Sequence, residues 1–208
     1  MWRASSSLEA NIGFFFFSTQ LMQGVLGYDP ALAGVAFLPA MIVNFVAALR
    51  APRLIVRFGA RMVLIGSLML GMIGLAWLAL DAGASGYWTG LALPMILVGI
   101  SQGGALGPLT SSGIAGVTAG DAGAAAGLVN AAHQIGGAFG LSLQIAFSVI
   151  GAGALTGRSL LAWRVGNAME GAAAMELLAI LVAFFAIPRF MPGTAPPRRN
   201  ASPGTAAR

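Results

Sequence analysis

Arg50-Ala-Pro-Arg-Leu-Ile-Val-Arg-Phe-Gly-Ala-Arg61 places four arginines in twelve residues, between two long apolar runs. A soluble core has no use for such a block. A short arginine-rich connection between membrane spans, by contrast, stays on the cytoplasmic side. Outward from this stretch the composition agrees: of 208 residues, 58% are hydrophobic and 8% charged, with a mean hydropathy of +0.86. A soluble domain carries about a quarter charged residues. All eleven basic residues are arginine and the net charge is +5, but the arginines stand at the ends of apolar runs. That pattern is topological and argues against nucleic acid as a partner. With no cysteine in the chain, disulfide and thiol chemistry are excluded. Its 30 glycines suit packed membrane helices, whose backbones approach closely through small residues.

Apolar runs predict an all-α, polytopic bundle of six spans, at about 11–26, 31–49, 62–80, 89–109, 122–150 and 172–187. No clear cleavage site follows Arg3, so the first run reads as a retained span. That span looks clipped, at about 25 Å against about 30 Å of hydrocarbon. Pro30 is placed to start the second span, and Pro39 to kink it. Residues 50–61 are expected as a loop, and Gly66, Gly71 and Gly74 as contact points in the third span. Asp121 is expected to cap the fifth span through its carboxylate. A loop over 151–171 follows, with Leu160, Leu161 and Trp163 on the membrane surface. Residues 1–190 then form the bundle, and 191–208 a disordered cytoplasmic tail. Six spans put both termini on one side together with nine arginines, leaving Arg158 and Arg164 opposite. The chain is therefore expected to be multi-pass in the plasma (inner) membrane with both termini cytoplasmic.

Gln23-Gly-Val-Leu-Gly-Tyr-Asp-Pro30, Ala33-Gly-Val-Ala-Phe-Leu-Pro39, Gly103 to Pro108, Asp121 to Asn130 and Gln134 to Gly140 occur in a fixed order. In that order they resemble the C-terminal half of a major facilitator superfamily transporter, of the fourteen-spanner drug:proton antiporter (multidrug efflux) group. The resemblance covers roughly residues 10 to 190. Within it, Pro52 to Arg61 is similar to the family's cytoplasmic motif Gly-x-Leu-Ala-Asp-Arg-x-Gly-Arg-Arg, with Leu54, Arg57, Gly59 and Arg61 matching. Pro52 replaces its opening glycine, Val56 its acidic residue and Ala60 one arginine. The resemblance implies a proton-coupled exporter of amphipathic small molecules. Family members have two six-helix halves with the central site between them. A second half is therefore expected as a partner, as a separate chain, upstream in the same chain, or as a second copy. The alternative is a truncated or scaffolding membrane protein without transport of its own.

Several side chains carry alternative readings. Arg53, Arg57 and Arg61, with Gly59, form either a cytoplasmic latch or a topological signal touching lipid phosphate. Gln20, Gln23, Asn44, Gln102, Asn130, His133, Gln134 and Gln144 either line a substrate path or bond one helix to another. Glu176 is expected about one turn into the sixth span, as a proton-coupling carboxylate or as a side chain reaching the outer interface. Gly99, Gly103 and Gly107 are expected as one helix-packing face, and Gly123, Gly127, Gly136 and Gly140 as another. Paired carboxylates and metal-ligand clusters are missing, so no enzyme activity and no metal are expected. No lysine or strand supports a phosphate loop, so no cofactor is expected either.

Overall fold

A computed structural model describes residues 10–81, 84–113, 117–118 and 120–186. Among these the chain is all-α. The first rod is α1 (Ala10–Gln20), continued by a π-helical turn over Leu21–Val25. The second is α2 (Pro30–Ala36) followed by α3 (Leu38–Phe58). Then come α4 (Ala60–Asp81), a π-helical turn Tyr87–Ala92 leading into α5 (Leu93–Gly113), α6 (Ala122–Ser148) and α7 (Gly157–Ala186). Among the described residues, four segments are long and apolar enough to cross a membrane: Pro30–Phe58, Ala60–Asp81, Tyr87–Leu109 and Gly157–Phe185. α6 has the length, but Asn130, His133, Gln134 and Gln144 dilute its apolarity.

Local chemistry sets the boundaries. Asp29 accepts from the amides of Ala31 and Leu32, both at 2.9 Å, and Pro30 opens α2 behind this cap. Pro39 has no amide to offer Val35, and the rod breaks at Phe37, two residues upstream. Gly59, at φ 83°, makes the tight link between α3 and α4.

Three expectations are corrected. Residues 50–58 are helical, not a loop. Ala51 is buried and, with Ile55, faces Gly107 of α5, so packing carries the helix through Pro52. Gly151–Gly171 is likewise no long loop: α7 begins at Gly157, and Leu160, Leu161 and Trp163 lie within it. Val165, Ala168, Met169 and Ala172 are buried at helical spacing, while Arg158 and Arg164 interrupt the apolar run from the exposed side. Trp163 Nε1 (3.1 Å) and Asn167 Nδ2 (2.7 Å) both donate to the Ile150 carbonyl and pin the preceding turn. Asp121, in a helical conformation, cannot turn its carboxylate onto the α6 amides. It accepts from Thr118 Oγ1 at 2.8 Å instead.

α5 packs between α3 and α4, α4 against α7, and α7 against α1 and α6. The core forms two clusters. One, toward Tyr87 and the start of α7, gathers Phe14, Met22, Leu75, Leu78, Met95, Val98, Met169 and Ala172. The other, toward Gly59, gathers Leu64, Leu68, Ala105, Leu109, Ala179 and Ala183. The expected tail, 191–208, lies outside the described residues.

Candidate functional site

Between the two apolar clusters lies one polar layer. Glu176 stands about five turns into α7, not one turn into a span. It is 6% exposed. It faces α5, where Ser101 Oγ donates to its Oε1 at 3.2 Å. It also faces α4 at Gly71, where an added Cβ would run into both Glu176 Oε1 and Ser101 Oγ. A bare glycine on α4 is what lets three helices close around a carboxyl group. Along α7, Met169 and Ala172 before it belong to one apolar cluster, and Ala179 and Ala183 after it to the other. The difference arises because α7 begins at Gly157 rather than near 172.

Ser101 and Gln102 are neighbours on α5, and their side chains leave the helix in different directions. Ser101 meets α7, whereas Gln102 meets α3, its Oε1 accepting from Asn44 Nδ2 at 3.4 Å. Gln102 Nε2 is buried with no hydrogen-bond partner among the described residues. The remaining expected path residues lie elsewhere. Gln20 is half-buried at the end of α1, and Gln23 is exposed in the π-helical turn. Asn130 and Gln134 are exposed on α6, and His133 beside them is half-buried with Nδ1 unpartnered among the described residues. Thus Asn44 and Gln102 are the expected pair that a bond joins. Gln144, also expected on the path, is fully buried against Gly13 of α1.

In the arginine stretch the side chains divide. Arg61 turns inward: its Nη2 donates to the Phe184 carbonyl and its guanidinium lies 4.8 Å from the Phe184 ring centre. This ties the start of α4 to the last turn of α7, where a cation meets the negative end of the helix dipole. Arg53 and Arg57 stay exposed, Arg57 above the ring of Phe58.

The glycines separate as well. Gly99 lies against the backbone of Ala40, Gly103 against that of Asn44 and Ala48, and Gly107 faces Ala51 and Ile55. Gly136 and Gly140 are buried on α6, but Gly123, Gly127 and, on α4, Gly66 meet only open space. No cluster of three metal-ligating side chains occurs among the described residues.

Three relatives indicate what such a bundle belongs to. The cephamycin export protein of Amycolatopsis lactamdurans is 37% identical over 195 residues, covering 93% of this chain and 40% of that protein. The puromycin resistance protein of Streptomyces alboniger is 39% identical over 134 residues, 63% of this chain and 27% of that protein. An MFS-type transporter of Mycobacterium tuberculosis is 34% identical over 113 residues, 53% of this chain and 20% of that protein. No family model matches the chain. The chain thus spans well under half the length of each of these relatives. Its helical membrane bundle and this shared sequence agree: the chain belongs to the major facilitator superfamily, with the drug-export and resistance transporters.

Proposed function

We propose that the chain is a six-helix module of a secondary transporter that moves amphipathic small molecules out of the cell in exchange for protons. Glu176 is the residue that carries the coupling proton. The observation behind this reading is the closed layer of Gly71, Ser101 and Glu176 between two apolar clusters. A carboxyl group sealed there, with Ser101 as its hydrogen-bond partner, is expensive to keep in a membrane unless it is used. Parting α4, α5 and α7 would open the layer to water and release the proton. Cephamycin export and puromycin resistance by the relatives support a small-molecule cargo.

Asn44 and Gln102, with the orphan Nε2 of Gln102, offer polar contacts to that cargo on the other side of α5. The module works with a second six-helix bundle, because alternating access needs two bodies rocking about one site. It sits in the inner membrane with both termini cytoplasmic, as the nine-to-two division of arginines favours. It performs no catalysis.

The test is uptake of a fluorescent amphipathic amine by everted vesicles under an imposed pH gradient. The vesicles carry the chain alone, or the chain together with the part of the cephamycin exporter that it does not match. Gradient-driven uptake is expected in at least one arrangement, and Glu176→Gln should remove its dependence on the gradient. Inserted protein with no uptake in either arrangement would favour a scaffold that transports nothing.

A further inference from the structure

Arg50, Arg53 and Arg57 lie at helical spacing i, i+3, i+7 and are all exposed. They therefore share one face of the last turns of α3. That face continues an exposed apolar stripe. Ile42, Val46 and Leu49 are 61%, 43% and 60% exposed, and they lead into Arg53 at i, i+4, i+7, i+11. The surface thus runs from apolar to cationic along a single helix.

None of the three arginines is paired with an acid among the described residues, and the carboxylates described there are engaged or distant. Asp29 caps α2, Asp81 accepts from Ser85, Asp121 accepts from Thr118, and Glu176 is sealed inside the bundle. Glu170 lies in an open cleft of about 280 Å³ between α4 and the first half of α7, with Ala79, Leu80 and Trp163. Val56 occupies a position in the same stretch where an acid would neutralise the cluster, and it is 89% exposed. Arg61 is not available, being committed to Phe184.

We infer that this face of α3 binds an anionic phospholipid. The phosphate would sit against Arg50, Arg53 and Arg57, and the acyl chains along Ile42, Val46 and Leu49. Guanidinium groups grip phosphate oxygens in pairs, and each basic residue near an anionic membrane surface adds its own attraction. The apolar stripe commits the site to a lipid rather than to a free anion, because a soluble phosphate leaves the stripe uncovered.

The experiment is thermal unfolding of the whole chain in detergent, with phosphatidylglycerol, phosphatidylcholine or soluble glycerol phosphate added. Phosphatidylglycerol should raise the midpoint by about 2–4 °C over phosphatidylcholine, with glycerol phosphate inactive. The triple variant Arg50→Gln/Arg53→Gln/Arg57→Gln should lose that difference while keeping the wild-type midpoint in phosphatidylcholine. Arg158→Gln/Arg164→Gln, which removes two charges at the other end of the bundle, should keep it. If the triple variant proves poorly folded, Arg53→Gln and Arg57→Gln made singly should each reduce the shift. Equal responses to both lipids, or a response surviving the triple variant, would overturn the site. A response to glycerol phosphate as large as that to the lipid would reduce it to an anion site. A bivalent reagent that crosslinks Val46→Cys copies in phosphatidylglycerol would show that a second chain, not lipid, covers the stripe.

Discussion

Glu176 is kept where a membrane protein has least reason to keep a carboxyl group. If its role were only to hold α5 and α7 together through Ser101, an apolar side chain would lower stability by removing that bond. On the present account the group is retained for its proton and costs stability. Glu176→Leu should therefore raise the stability of the chain in detergent by about 1–3 kcal/mol, seen as a higher unfolding midpoint, while abolishing coupled transport. A lower midpoint would mean the carboxyl is structural. Arg61→Ala should act oppositely. It loses the tie to the last turn of α7 and should cost about 1 kcal/mol, measured by the same unfolding. At this scale the sequence announces the carboxylate itself, since a charge inside an apolar run is conspicuous. It does not announce Gly71 or Ser101 as partners, because those contacts join residues 75 or more positions apart. The inward turn of Arg61 was equally hidden, for its partner is a carbonyl on α7.

Helix against helix, the bundle depends on where glycine meets backbone. Gly103 of α5 lies against the Asn44 carbonyl and the Ala48 amide, neither of which can move without distorting α3. Gly103→Leu should cost about 1–3 kcal/mol, read as loss of monodisperse protein and a lower midpoint. Gly127→Leu on α6, facing open space, should leave the chain's own stability within about 0.5 kcal/mol. A loss of transport from that variant, with stability intact, would mark α6 as a face that docks a second bundle. The spacing of four along Gly99, Gly103 and Gly107 is visible in the sequence and matches a face turned to α3. The same spacing in α6 is misleading for Gly123 and Gly127, since periodicity tells which residues share a face but not what covers it. Helix ends were less legible. Pro52 and four arginines read as a loop until Ala51 and Ile55 are seen against α5. Charges on the outer face of α7 hid a helix whose buried residues keep regular spacing.

For the whole molecule, hydropathy and arginine distribution define an all-α membrane bundle before any contact is known. The placement of helices around one polar layer comes only from packing. The account rests on that layer lying within the bilayer, with the arginine face at one surface and the α6–α7 turn at the other. The absence of cysteine makes the natural chain its own background for labelling. The most direct measurement is the reaction of an impermeant maleimide with three single variants, Arg57→Cys, Gly153→Cys and Glu176→Cys, in intact and permeabilised cells. The account predicts that position 153 labels in intact cells, position 57 only after permeabilisation, and position 176 in neither. Labelling of position 57 from outside would invert the orientation. Ready labelling of position 176 in both would remove the sealed carboxyl on which the proposed coupling depends.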